Sequence, residues 1–306
     1  MTAAERLARL SADEMVAALK LSRAPALVQA MARAAFTAVS SPLGRTLARF
    51  DARIATDGLA RAAASALDDL GVRRSSIGAP PPSTGPLLVV ANHPGAYDAL
   101  VLFAGMGRDD VAVLASDRAF LRAMPNLRRH LLLVPASTDG PARARARGLR
   151  GAIDHLAAGG SILHFGAGAI ERDLAFPVPL GVPLLSTWQG GTGTLVRATR
   201  RASGWVVTAL VEGVHSRRAK QLLLNRLAER QGVTTLAPLL QVAFARYRDV
   251  AATLRFTDAV RAGDLVTHGD DARIAAVVRE RTLASWQAQR PHEDPAERVG
   301  RVVPAR

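Results

Sequence analysis

Cysteine is absent from the 306 residues. That excludes a disulfide scaffold, a cysteine nucleophile and every thiolate metal site, and it fits a reducing compartment. Lysine is nearly absent, with Lys20 and Lys220 the only two. Phe, Trp and Tyr together make up 4%. So few aromatics argue against the stacking surface of a single-strand nucleic-acid binder, and no nucleic acid is expected as a partner. Long hydrophobic runs are missing as well. The longest stretch free of charge and histidine, residues 174–196, is broken by Pro177, Pro179, Gly181 and Pro183, which no ordinary membrane-spanning helix tolerates. Glu5, Asp13 and Glu14 interrupt the start of the chain, so no secretory leader is expected.

What is present is an apolar content of 49% and a net charge of +14. The first suffices for a sizeable core and excludes global disorder. The second is clustered. Residues 117–150 carry eight arginines against two aspartates, and residues 197–220 carry six basic residues against Glu212. Clustering of that kind points to an anionic partner, either a phosphate-bearing substrate or an anionic membrane face.

Residues 1–74 have helical spacing, as in Leu7, Leu10, Met15 and Leu19, with a break expected at Ser40-Ser41-Pro42-Leu43-Gly44. They read first as a helical cap on a core, with a membrane-lying amphipathic anchor as the alternative. Residues 75–85, which include three consecutive prolines, form the expected linker. Short apolar runs then recur at 86–91, 111–115, 131–135, 161–165, 205–211 and 250–256. Helical stretches alternate with them at 98–106, 142–158, 187–201, 217–230 and 271–287. Alternation of this type predicts an α/β domain over 86–290, with a mixed, mostly parallel sheet flanked by helices. Residues 291–306 are the expected tail, and no internal repeat is present.

Functional groups in such folds gather beyond the carboxyl ends of the strands. After the first strand comes Asn92-His93-Pro94-Gly95-Ala96-Tyr97-Asp98. Pro94 and Gly95 delay the helix, so Asp98 falls in its first turn, where unpaired amides favour a carboxylate. The turn can fold the His93 imidazole back onto Asp98. One ring nitrogen is then fixed by the carboxylate and the other is left as a base. The alternative is a capping Asp98 beside a turn histidine of no chemical role.

An Asn-His-x4-Asp turn directly after the first apolar strand resembles the glycerolipid acyltransferase family, the lysophosphatidate and glycerol-phosphate acyltransferases. The resemblance spans about residues 85–290 and implies His93 as general base, Asp98 as its partner and Asn92 as a residue of the same substrate-facing turn that braces it. The family's Phe-Pro-Glu-Gly block corresponds to Phe165-Gly166-Ala167-Gly168, with the glutamate displaced to Glu171. Gly166 and Gly168 are thereby expected to offer amides to an anion, and Glu171 to face the acceptor. The family's arginine after the fourth strand corresponds to Ala136. Arg143 and Arg145 are candidate replacements for its phosphate clamp, or else members of a solvated basic face.

The resemblance implies an O-acyltransferase. It would move a fatty acyl group from acyl-CoA or acyl carrier protein to a hydroxyl of a lysophospholipid or related glycerolipid, with no cofactor and no metal. The alternative within the same fold is a catalytically divergent, lipid-binding protein. The implied location is cytoplasmic, peripheral to the inner membrane face. The uncharged stretch 174–185 is expected to form an acyl groove, dip into a membrane surface or lie buried as a loop.

Overall fold

The computed structural model describes residues 1–19, 21–135, 142–223, 225 and 236–289. Ala136 and the tail 291–306 therefore lie outside the described residues, as does most of the expected helix 217–230 beyond its first turn and a half.

The chain begins with α1 (Ala3–Ala18), started by a capping box in which Thr2 and Glu5 bond reciprocally, and continues into α2 (Ala26–Asp57) and α3 (Leu59–Asp69). The break expected around Pro42 does not occur, because α2 runs straight through it. An interior proline costs a helix about 3 kcal/mol, and packing against α1 offsets it. Ser40 is buried and its hydroxyl reaches the Met15 sulfur, while Gly44 lies so close to α1 that a Cβ would stand 2.3 Å from the Ala4 carbonyl oxygen. A Gly44→Val variant is accordingly expected to lose about 1–3 kcal/mol of stability through overpacking, read as a lower urea midpoint at unchanged slope. The reading of these helices as a cap holds for Leu7, Met15, Phe50 and Ile54, which are buried. It does not hold for the start of α2, where Leu27, Val28 and Met31 stand exposed.

Strands β1 (Arg73–Ile77), β2 (Leu87–Ala91), β3 (Val111–Ser116), β4 (Leu131–Val134), β5 (Ser161–Phe165), β6 (Trp205–Glu212), β7 (Ala251–Phe256) and β8 (Val260–Arg261) form one sheet. Their order is β1-β7-β6-β2-β5-β3-β4, with β8 beside β6. Pairing is parallel except where β6 meets β7 and β8. The fold is thus the mixed, mostly parallel sheet with flanking helices. Strand β1 occupies part of the expected linker: Ser75–Ile77 pair with β7, and only residues 78–85 are free of strand.

Central β2 explains the layering. All five of its residues are buried, and they alternate between two cores. Leu87, Val89 and Ala91 face the N-terminal helices and α4 (Asp98–Met106). The short helices α5 (Ala119–Arg122) and α6 (Pro125–Arg128) follow β3, and Leu88 and Val90 face α7 (Ala142–Ala157), α8 (Gly191–Arg201) and the C-terminal helix Asp271–Gln289. Each fully buried Leu or Val contributes about 1.5–3 kcal/mol, so register at β2 is strongly specified. The C-terminal helix is further tied by the buried Arg255–Glu212 pair, whose second carboxylate oxygen accepts from the Trp286 indole. The helix expected from residue 187 begins at Gly191; the preceding residues form the approach to it. No helix among the described residues is long and apolar enough to cross a membrane.

Candidate active site

Strand β2 lies between β5 and β6, both parallel to it, so the chain leaves the sheet centre at Ala91 with neighbours on either side. Asn92 is fully buried. Its side-chain amide donates to the Val211 carbonyl at 2.9 Å, and its oxygen accepts from the Val211 amide at 2.7 Å. The side chain thus acts as an extra rung between β2 and β6. It braces the turn from a fully buried position.

The turn after Asn92 places two consecutive residues in left-handed backbone, Gly95 (φ +88°) and Ala96 (φ +55°). Glycine suits the first position, whereas alanine at the second carries roughly 1–2 kcal/mol of strain. This reversal brings Asp98, at the start of α4, under His93. The His93 Nδ1 lies 2.7 Å from Asp98 Oδ2. Asp98 Oδ2 also accepts from the Gly95 amide at 2.7 Å, and Oδ1 from the Ala99 amide at 2.6 Å. The carboxylate is itself buried at the helix N-terminus, so it is oriented on three sides and cannot swing away.

A carboxylate only accepts, so the proton between the two sits on Nδ1, and Nε2 carries the lone pair. The side chain of His93 is 29% exposed. Phe165 stacks on the ring at 4.1 Å between centroids and 29° between planes, which fixes the plane of the imidazole. Burial by itself lowers the histidine pKa. The Asp98 hydrogen bond, the Asp98 charge and the Glu171 charge outweigh it, and the result is a pKa above 6.5.

Glu171 is buried beside this turn. Its amide donates to the His93 carbonyl at 2.7 Å, and its Oε2 accepts from the His93 amide at 3.2 Å. Its Oε1 accepts from the Ser186 amide at 2.9 Å. Burial raises the Glu171 pKa, while the Ser186 and His93 amides pull against it. Both oxygens hold backbone, clamping the loop after β5 to the His93 turn.

Gly166 and Gly168 do not offer free amides. The Gly166 amide extends the ladder by donating to the Ala91 carbonyl, and the Gly168 amide closes a turn onto the Phe165 carbonyl, each at 3.0 Å. Neither serves an anion. A different constraint fixes the glycine at Gly166, where a Cβ would stand 2.3 Å from the Trp188 ring. Arg143 and Arg145 are exposed in the first turn of α7, the helix packed on the Leu88 and Val90 face of the sheet.

Three residues that sequence reasoning passed over lie next to this turn or bond a residue of it. Tyr97 is buried, its hydroxyl bonded to the Gln241 carbonyl, and burial pushes its pKa up to about 12. Gln241, on the helix Leu236–Ala243, clamps Val214 and Ser216. Arg172 is exposed and follows Glu171 directly. Only Arg172 has a signal in the sequence, as a cation close behind the Phe165–Gly168 block; Tyr97 and Gln241 act through contacts distant along the chain. His164 faces the opposite layer on Thr192, and burial lowers its pKa to about 4, so it is a neutral strand histidine. Among the described residues no group of three or more His, Asp or Glu is placed to hold a metal ion.

Neither models of known protein families nor curated proteins match this sequence. Among solved structures, the fold is similar to that of the 1-acyl-sn-glycerophosphate (LPA) acyltransferase PlsC from Thermotoga maritima. The similarity covers 82% of this chain and 83% of that one, at 15% identity and a TM-score of 0.47.

Proposed function

We propose that this protein is an O-acyltransferase that moves a fatty acyl group from a thioester, acyl-CoA or acyl carrier protein, to a hydroxyl of a lysophospholipid or related glycerolipid. The observation that carries the reading is the 2.7 Å bond from Asp98 to His93 Nδ1 on a ring that remains partly exposed. In this reading Nε2 takes the proton of the acceptor hydroxyl as its oxygen attacks the thioester carbonyl. The tetrahedral species collapses, the carbon–sulfur bond breaks, and the leaving thiolate takes the proton back from Nε2. Asp98 holds the tautomer and stabilises the transient imidazolium. No covalent enzyme intermediate is required.

The acceptor's anionic group falls to Arg172. Glu171 pins the backbone next to it against His93, and among the described residues Arg172 bonds no other side chain. Arginine pairs phosphate in a bidentate geometry. Arg172→Gln is expected to raise KM for a phosphate-bearing acceptor about tenfold, with kcat nearly unchanged, because the lost contact is made equally in ground and transition states. Steady-state kinetics against acceptor concentration check this. An acyltransfer assay on wild type and His93→Ala tests the whole reading, and equal rates would end it.

A further inference from the structure

The loop between Glu171 and Ser186 is closed at its base on the His93 backbone, because one carboxylate, that of Glu171, bonds both the His93 and the Ser186 amides. What projects from that base is unusual for a surface. It is uncharged from Leu174 onward, and its tip is a tight turn in which the Val182 amide donates to the Pro179 carbonyl. Gly181 takes φ +79° there, as the third position of such a turn demands. The residue before it, Leu180, is fully exposed, and Val182 and Ile170 are exposed as well. Ile170 lies against the catalytic turn, 3.6 Å from where a Gly95 Cβ would stand.

Cations stand on the segment to which the root of this loop is fastened. Asp173 binds the amides of Gly213 and His215, so the loop root is fastened to the segment leading into α9 (Arg217–Gln221). Arg217 is exposed on α9, and the Lys220 ammonium stands 5.8 Å over the Phe176 ring of the loop itself. Gln241 and Asp249 bond Ser216 of the same segment, which brings exposed Phe244 to this edge with the Arg246 guanidinium over its ring. Bare aliphatic side chains at a turn tip, with arginine, lysine and one aromatic on the segments linked to its root, match the layered chemistry of an anionic bilayer surface.

We propose that this edge of the sheet docks on an anionic lipid bilayer, with the turn Pro179–Val182 entering the boundary between headgroups and acyl chains and Arg172 and Arg217 lying among the phosphates. The inference rests on the proposed function only in naming the bilayer as the source of its acceptor. Its test measures binding without turnover, so either can fail alone.

The experiment is co-sedimentation of the full chain with vesicles of phosphatidylcholine, alone or mixed with phosphatidylglycerol, accompanied by light scattering and thermal unfolding. Wild type is expected to bind the mixed vesicles far more than the neutral ones. The double variant Leu180→Asp/Val182→Asp should lower the partition coefficient about tenfold or more with unchanged unfolding, since it removes the inserting side chains. Arg217→Gln, at an exposed position, should lower it about fivefold on mixed vesicles and leave the neutral ones unaffected. Absence of wild-type binding, or variants that bind like wild type, would overturn the proposal. So would a dimer that Leu180→Asp splits, since the face would then belong to a second copy.

Discussion

Asp98→Asn is expected to lower kcat about 10³- to 10⁴-fold while leaving KM within a few-fold. The substitution keeps the size of the side chain: with its NH₂ at the Oδ2 position, the remaining oxygen still accepts from the Ala99 amide, while the Gly95 amide loses its acceptor. It changes which His93 nitrogen carries the proton. With an amide NH₂ presented to Nδ1, the favoured tautomer puts the proton on Nε2, and the base is lost. The pH profile has a second signature. In the wild type the Asp98 bond and charge hold the His93 pKa above 6.5 against burial. A protonated His93 cannot act as a base, so the rate should fall as pH drops through that raised value. Removing the charge leaves burial dominant, and the acid limb should move to lower pH even as the plateau drops. A plateau loss with no movement of the limb would mean that some other group titrates there.

Glu171→Gln ranks second, with an expected loss of about 10² in kcat. One of its two oxygens becomes an NH₂ facing a backbone N–H, either that of His93 or that of Ser186. The clamp between the loop and the turn opens on that side, and displacements of about 1 Å around a reacting centre cost that much. A structural role alone would stop there. The Glu171 charge also raises the His93 pKa, so the variant should show a lower His93 midpoint by NMR titration, in the absence of any substrate. An unchanged midpoint alongside reduced activity would reduce Glu171 to scaffolding.

Both predictions depend on contacts that differ in how far the sequence discloses them. The Asn-His-x4-Asp turn was legible because its logic is local: Pro94 and Gly95 stop the helix, and five residues suffice to bring ring and carboxylate together. Strands such as β2 and β6 were legible because burial on both faces leaves an uninterrupted apolar run. Strand β1 was not, since all five of its residues are exposed on an edge and carry no period. The unbroken α2 is a tertiary effect. Close seating of Gly44 and Ser40 on α1 overrides what Pro42 dictates locally. Gly166 and Gly168 depart from expectation for a related reason. Whether an amide is free depends on sheet register and turn closure, and here Ala91 and Phe165 take both. Glu171 shows the limit most clearly: its position in the chain was visible, but not that backbone amides at His93 and Ser186 would occupy both its oxygens.

The central claim is that His93 Nε2 removes a proton from an alcohol that then takes the acyl group from a thioester. The most direct measurement follows free thiol and acylated product together when wild type and His93→Gln meet an acyl thioester with and without a lysoglycerolipid. The account predicts one thiol released per hydroxyl acylated, strictly dependent on the acceptor and lost in the variant. Thiol release without acylated product, or equal acylation by the variant, would contradict it.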